Sequence, residues 1–144
     1  MTPSIDNLIQ TYGEGAGVPT REQWLRLLEG DPTKPLTVLN LFKLRERADP
    51  TLIDEEMSGL QAFEKYTETS VPKVTEVGGH FVLRGLFEGG FIGEGLESWD
   101  ILAIGQYPER ACFLRLLSDS QYQSAFKYRQ AAVANENVFL ISAM

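Results

Sequence analysis

The chain of 144 residues contains little of what defines several common protein classes. Its single cysteine, Cys112, cannot form a disulfide within the chain, so a reducing compartment is the simplest expectation. It has no cluster of lysine and arginine, and its formal net charge of −7 disfavours broad binding to nucleic acid or anionic lipid. No apolar run approaches the roughly 20 residues that span a bilayer, and the first residues show no signal-peptide pattern. We therefore predict a cytoplasmic protein with neither a nucleic-acid nor a membrane partner.

Metal ligands are equally scarce. His80 is the only histidine, and no His or Cys pair has the spacing of a zinc site. The acidic residues Glu94, Glu97 and Asp100 lie close together, but they lack the alternation of an EF-hand loop. We interpret them as a solvated acidic turn. The sequence therefore predicts no bound metal.

Seven of the 13 glycines lie in the segment 78–100, GGHFVLRGLFEGGFIGEGLESWD. Gly90, Gly93 and Gly95 have the reverse of the dinucleotide-binding spacing, and a strand rather than a helix follows them. No GK[ST] triplet marks a phosphate loop, and no G-x-S-x-G marks a serine nucleophile. We expect no cofactor, and we interpret these glycines as shaping the bends and turns of a sheet.

The hydrophobic pattern after residue 34 predicts the order β-α-β-β-α-β. We expect strands at 35–44, 80–93, 99–107 and 137–144, a helix at 55–77 that is kinked or divided at Pro72, and a helix from 109 that either continues to 135 or is followed by a second helix at 120–135. This order is typical of a ferredoxin-like α+β domain with an antiparallel sheet, in which the middle strands form a hairpin. The sequence thus predicts one such domain at 35–144.

Residues 1–34 are predicted to form a helical extension that precedes this domain. SIDNLIQTY has the composition of a short helix, and the glycines and proline after it end that helix. Thr20 and Gln23 have the spacing of a capping box, and Trp24, Leu27 and Leu28 share the face of the helix that follows.

The predicted strands carry apolar residues on both faces. In the first strand, Leu36, Val38 and Phe42 alternate with Leu39 and Leu41. Helices in such a domain cover one face of the sheet only, so the second apolar face needs another partner. A second copy of the chain is the simplest one, and we predict a homodimer in which sheet packs on sheet.

Several motifs, in order, resemble one known family. VLNLFKLRERA, SGLQAFEKY, GGHFVLRG and IGEGLESWDILAIGQYPERACFLRLLSDSQYQSAFKYRQAA are similar to the DUF1330 family in its longer variant, over about residues 35–142. The resemblance implies a dimeric α+β barrel and no particular activity, since the family is named for having no assigned function. Two positions depart from the family pattern. Glu109 replaces the usual serine, and Tyr128 replaces a frequent histidine before Arg129, which leaves His80 as the only imidazole.

His80 is the candidate catalytic residue, because an imidazole can transfer a proton near neutral pH. In a regular strand it shares a face with Val82 and Arg84, and Arg84 is a candidate ligand-binding cation. The alternative is that His80 and Arg84 lie at a rim or pair with a carboxylate across the dimer. Both interpretations stay open at this stage.

The other candidate ligand-binding residues are predicted to meet in a cleft between sheet and helices. Arg129 could hold a carboxylate or an enolate, with Tyr122 and Tyr66 beside it; the alternative is an ion pair with one of the many acids. Asn40, a polar residue in an apolar strand, binds either a ligand carbonyl or a neighbouring backbone group.

Two functions remain open from the sequence. The first is binding of a small, acidic or enolizable, partly aromatic metabolite, with cofactor-free acid–base chemistry by analogy with related barrels. The second is a non-catalytic homodimeric module that binds a ligand or a partner protein. Haem binding ranks below both, because the chain offers one histidine only.

Overall fold

The structure is a computed structural model that describes residues 2–94 and 98–144. The described residues form five helices and four strands, which we number in chain order: α1 (Ile5–Tyr12), α2 (Arg21–Glu29), β1 (Leu36–Leu44), α3 (Gly59–Glu76), β2 (His80–Leu86), β3 (Ile101–Tyr107), α4 (Arg110–Ser118), α5 (Ser120–Ala132) and β4 (Val133–Ile141). No helix among them is both long enough and apolar enough to cross a membrane. Gly95 and Glu97, assigned to the acidic turn from the sequence, lie outside the described residues.

The four strands form one antiparallel sheet in the order β2-β3-β1-β4. After the first two helices the chain runs β-α-β-β-α-β, and the predicted ferredoxin-like α+β fold is confirmed. The face that packs against the helices, here called the inner face, carries the buried residues Leu36, Val38 and Phe42 of β1 and Ala103 of β3.

Side-chain caps fix where two of the helices begin. Thr20 and Ser58 each complete a capping box, with Gln23 and Gln61 respectively, at the N-termini of α2 and α3. The cap at Ser58 explains why α3 begins at Gly59 and not at the predicted residue 55. The helix then continues through Pro72 to Glu76, so the expected division at this proline is wrong.

β2 is shorter than predicted. Its ladder with β3 reaches Leu86, and the Phe87 amide donates one further hydrogen bond to the Asp100 carbonyl at 3.1 Å. Beyond this point Gly89 and Gly93 have φ angles of 140° and 115°, which an extended strand of L-residues does not adopt. The backbone therefore leaves the sheet before residue 93.

The last strand begins four residues earlier than predicted. α5 ends at Ala132, whose carbonyl accepts a hydrogen bond from the Arg45 amide at 2.8 Å, and Val133 already pairs with Leu44 of β1. The sequence assigned Val133 to Asn135 to the preceding helix and left Glu136 between helix and strand. Pairing with β1 makes them part of the strand and places Glu136 opposite Phe42 on the inner face.

A β-bulge changes which residues of β2 face inward. The register between β2 and β3 shifts between Phe81, opposite Gly105, and Leu83, opposite Ile104. As a result His80 lies on the outer face, while Arg84 pairs with the buried Ala103 on the inner face. The expectation that His80 and Arg84 share a face is therefore wrong, because one extra residue in a strand reverses every later side chain.

The outer face of the sheet is also apolar. A row of four aligned residues crosses every strand: Leu83, Ile104, Leu39 and Phe139. Leu83 and Phe139 are each 50% exposed in the single chain. The apolar alternation read from the sequence thus produces two apolar faces, and the chain's own helices cover one of them.

The two N-terminal helices pack into the same hydrophobic core as the sheet. Leu8, Tyr12, Trp24 and Leu27 are all buried there. The Tyr12 hydroxyl donates a hydrogen bond of 2.6 Å to the carbonyl oxygen of Leu117 in α4, which ties α1 to the helical layer.

Candidate functional site

A cavity of about 810 Å³ lies between the inner face of the sheet and the helices. Its wall is largely aromatic and aliphatic, and includes Trp24, Val38, Phe42, Phe63, Phe81 and Phe126. The rings of Phe42 and Phe63 pack edge to face with centroids 5.0 Å apart, and Phe63 lies 5.8 Å from Tyr66. The volume lies in the range of about 300–1,000 Å³ that is usual for small-molecule sites.

The structure brings the five predicted ligand-binding residues to this cavity. Asn40 and Arg84 line it from the sheet, and Tyr66, Tyr122 and Arg129 line it from α3 and α5. His80 is exposed on the outer face and is absent from the described residues that line the cavity. The predicted catalytic residue therefore lies on the opposite face of the sheet from this cavity.

Arg129 is the centre of a buried polar group at the inner end of the cavity. Its Nη2 donates to Glu136 Oε1 at 2.8 Å, and its Nη1 donates to the Tyr66 hydroxyl at 3.2 Å. That hydroxyl lies 2.8 Å from the hydroxyl of Tyr122. We call Tyr66, Tyr122, Arg129 and Glu136 the Arg129 cluster.

Aromatic rings surround the guanidinium of Arg129. Its carbon lies 4.8 Å from the ring centre of Phe42, 5.1 Å from Phe126 and 5.6 Å from Tyr66. A guanidinium over aromatic faces is attracted by the negative charge of each ring face. The rings fix Arg129 in place and exclude water from it, so that its residual exposure is 8%.

Charge within the Arg129 cluster is compensated. Burial on its own would lower the pKa of Arg129, but the neighbouring Tyr66 and Glu136 raise it well above its usual value, so the guanidinium stays protonated. Burial raises the pKa of Tyr122 well above that of a free tyrosine. The ion pair of Arg129 and Glu136 therefore compensates the charge of the guanidinium inside the cluster. The ion pair that the sequence offered as the alternative for Arg129 is present, inside the cavity.

Two buried donors in the cavity wall have no hydrogen-bond partner among the described residues. They are the Nε of Arg129 and the indole Nε1 of Trp24. A buried donor without a hydrogen-bond partner costs about 1–3 kcal/mol, so such donors are rare in native proteins.

Asn40 has the backbone partner that the sequence offered as one alternative. Its amide nitrogen donates to the carbonyl oxygen of Ala103, the facing residue of β3, at 3.1 Å. Because this bond uses the amide hydrogens only, the side-chain oxygen remains available as an acceptor toward the cavity.

Arg84 lies where the cavity opens to solvent. Leu60 of α3 and Leu86 of β2 also line the cavity, and they are 53% and 82% exposed, which places an opening between these two elements. The guanidinium of Arg84 lies over the Phe81 ring at 5.6 Å. In the described part of the chain no carboxylate forms an ion pair with it.

The cavity is more positive than the protein as a whole. Among the described residues that line it are three arginines, Arg26, Arg84 and Arg129, against two glutamates, Glu64 and Glu136. The complete chain carries a net charge of −7. The charge of this lining is therefore more favourable to an anion than the net charge of the whole protein is.

Reasoning from the sequence missed several polar residues of the cavity, among them Glu136 and Ser70. Glu136 was assigned to the segment before the last strand, although a strand begun at Val133 places it on the face of Val138 and Leu140. Ser70, which is buried and lines the cavity, follows Tyr66 by four residues on α3. Helical spacing alone could have placed it there.

Fold and site together define a ferredoxin-like α+β protein with a largely aromatic cavity between sheet and helices, lined by more arginines than glutamates. The sequence profile of DUF1330, a domain of unknown function, matches residues 51–144, so the chain belongs to this family. The resemblance noted from the sequence extended further toward the N-terminus, to residue 35. No functionally curated protein matches the chain.

Solved structures support the fold. The RPA0582 protein of unknown function from Rhodopseudomonas palustris is 34% identical, with a TM-score of 0.81 over 91% of this chain and 98% of that one. A methylated form of RPA0582 is similar to the same degree, over 90% and 96% of the two chains. A dimeric protein of unknown function and ferredoxin-like fold from Bacteroides fragilis is 14% identical over 76% and 96%, with a TM-score of 0.48.

Proposed function

We propose that the cavity binds a small acidic molecule with an apolar, partly aromatic body. The observation that carries this proposal is Arg84, a cation without an acidic partner in the described chain, at the opening of an aromatic cavity. A guanidinium recognises a carboxylate through paired hydrogen bonds, and the aromatic wall takes up the rest of the ligand.

Arg84, and not Arg129, is the residue that we assign to the acid group. Arg129 already has its counter-ion in Glu136, at 2.8 Å. A carboxylate beside that pair would add a second negative charge where little water is available to screen it. At Arg84 the same carboxylate meets an uncompensated cation and stays partly hydrated.

Binding without turnover fits the cavity better than acid–base catalysis. No imidazole is among the described residues that line it, since His80 lies on the outer face. The raised pKa of Tyr122 keeps its hydroxyl protonated at neutral pH. A general base works best with a pKa near the working pH, and this hydroxyl is far from that condition.

Fluorescence of Trp24 in the cavity wall gives a direct assay. In a Trp99→Phe background, which removes the other indole, titration with 4-phenylbutyrate should change the emission saturably. We expect Arg84→Ala to weaken binding about fivefold to tenfold, because the lost charge-assisted contact is partly exposed to solvent. Arg47→Ala, which removes an exposed arginine elsewhere, should leave the affinity unchanged. Equal weakening by both variants, or by neither, contradicts the assignment of Arg84.

We also propose that the outer face forms a homodimer, sheet against sheet. The support is the apolar row Leu39, Leu83, Ile104 and Phe139 across all four strands, on a face that none of the described helices covers. Two such faces packed together resemble the sheet-on-sheet core of a β-sandwich, about 10 Å thick.

Light scattering after size-exclusion chromatography tests the dimer. The wild-type chain should elute as a dimer at micromolar concentration, and Leu83→Glu and Phe139→Glu should elute as folded monomers. Both side chains are half exposed in one chain, so their replacement leaves the monomer core intact. Leu52→Glu, which changes an exposed leucine outside the sheet, should remain dimeric. A monomeric wild-type protein would refute the proposal.

A further inference from the structure

We infer that the Arg129 cluster recognises an uncharged carbonyl oxygen, so that the ligand is an oxo acid with its carboxylate at Arg84. This inference rests on the proposed function and adds the second polar group of the ligand. It follows from two features of the cluster: a spare hydroxyl hydrogen and a charge that is already compensated.

The hydrogen bonds of the two tyrosine hydroxyl groups leave one hydroxyl hydrogen without an acceptor. The hydroxyl groups of Tyr66 and Tyr122 lie 2.8 Å apart and share one hydrogen between their oxygens. Arg129 donates to the Tyr66 oxygen and takes up none of the hydroxyl hydrogens. Two hydroxyl groups carry two hydrogens, so one is left over whichever tyrosine is the donor of the pair. No further acceptor for it occurs among the described residues, and both tyrosines line the cavity.

Because Glu136 already compensates the charge of Arg129, the cluster favours an uncharged hydrogen-bond acceptor on the ligand. Glu136 balances Arg129 at 2.8 Å, and the side chains of the pair are 10% and 14% exposed. A second carboxylate placed there would be repelled by Glu136 at short range, with little solvent to screen the repulsion. A ketone, an aldehyde or an amide carbonyl accepts the same hydrogen bonds without that repulsion.

The sheet sets the distance between the two polar ends. Arg84 belongs to β2, and the guanidinium of Arg129 lies over Phe42 of β1, two strands away. Adjacent strands are about 4.8 Å apart, and Arg84 lies level with Asn40, two residues along β1 from Phe42, so the acid and the carbonyl are separated by at least about 10 Å. Phe42 and Phe63 lie along the cavity wall, which calls for an aromatic ring in the middle of the ligand.

Three ligands of one skeleton test the inference by the Trp24 fluorescence assay. They are 3-(4-acetylphenyl)propanoate, which has the carbonyl; 3-(4-ethylphenyl)propanoate, which lacks it; and 3-(4-carboxyphenyl)propanoate, which has a second carboxylate instead. We expect the acetyl compound to bind about tenfold more tightly than the ethyl compound, as one or two well-made hydrogen bonds provide. The dicarboxylate should bind at least tenfold more weakly than the acetyl compound.

Variants and infrared spectroscopy assign the carbonyl contact. The double variant Tyr66→Phe/Tyr122→Phe should bind the acetyl and ethyl compounds equally, while Tyr128→Phe, at an outward tyrosine of α5, should keep the tenfold preference. With a ¹³C-labelled acetyl group, the carbonyl stretch should shift to lower wavenumber on binding to the wild-type protein. This second readout needs no variant, so it holds even if the double variant fails to fold.

The outcomes separate the two proposals. Equal binding of the acetyl and ethyl compounds to the wild-type protein, or an unshifted carbonyl band, overturns the inference, and so does a dicarboxylate that binds best. An effect of Arg84→Ala on the ethyl compound would in that case still support the proposed function. If none of the three acids binds, both proposals fall together.

Discussion

Removal of Glu136 should destabilise the protein more than loss of any single exposed ion pair. In Glu136→Ala the guanidinium of Arg129 keeps its charge but loses its 2.8 Å partner, with 10% of its own side chain exposed. Breaking a buried pair from one side costs about 3–5 kcal/mol, since an uncompensated charge remains inside. The adjoining cavity can admit water to the guanidinium, so we expect the lower end, about 3 kcal/mol.

Urea unfolding followed by circular dichroism measures this difference. For a chain of this size a loss of about 3 kcal/mol also lowers Tm by roughly 6–12 °C. Asp6→Ala is the matched control, because the Arg21–Asp6 pair has a similar length of 3.1 Å but side chains that are 59% and 81% exposed. That variant should lose less than about 1 kcal/mol. If Glu136→Ala is no less stable than Asp6→Ala, Arg129 is not buried as a charged group, and the argument for a compensated cluster fails.

Two further variants test local features of the fold. Asp119 caps α5 by accepting from the Tyr122 amide at 2.9 Å and also accepts from Lys73; although burial opposes ionisation, these bonds lower its pKa. Its contribution is therefore present above the unfolded pKa of about 3.9 and is lost as pH falls through the lowered value. Asp119→Asn should therefore cost about 1 kcal/mol at pH 7, and this cost should shrink as the pH falls through the lowered pKa. A deficit in unfolding free energy that stays constant on acidification would contradict this. Gly59→Ala should cost more than about 2 kcal/mol, because its Cβ would run into the Arg45 carbonyl oxygen, whereas Gly85→Ala meets ordinary contacts at 3.9 Å and should change stability by less than about 1 kcal/mol. Similar unfolding free energies for the two glycine variants would show that the backbone at Gly59 can move aside.

The order of helices and strands could be predicted because it depends on local pattern. The period of apolar residues and the capping box at Thr20 are properties of short stretches of sequence. Residues that line the cavity followed from the same pattern, since a polar residue on an apolar face stands out. Asn40 on β1 and Arg129 on α5 were both found in this way.

The partners of those residues could not be predicted, because they depend on how distant segments meet. Arg129 was expected to hold either an anionic ligand or an acid of the chain, and the choice was decided by the pairing of β4 with β1. That pairing turns the polar stretch around Glu136 into a strand and brings its carboxylate to the guanidinium. The sequence assigned Val133 to Asn135 to the preceding helix, so no local signal placed Glu136 in a strand.

The bulge in β2 connects the two surfaces for which we propose functions. In a regular strand that starts with Phe81 facing inward, Leu83 would also face inward, and Arg84 would join His80 on the outer face. The extra residue at Val82 reverses both assignments: it sends Leu83 into the outer apolar row and Arg84 to the opening of the cavity. A regular β2 would place a charge in the proposed dimer face and remove the cation of Arg84 from the opening of the cavity. The proposed ligand site and the proposed dimer face therefore depend on the same shift of one residue.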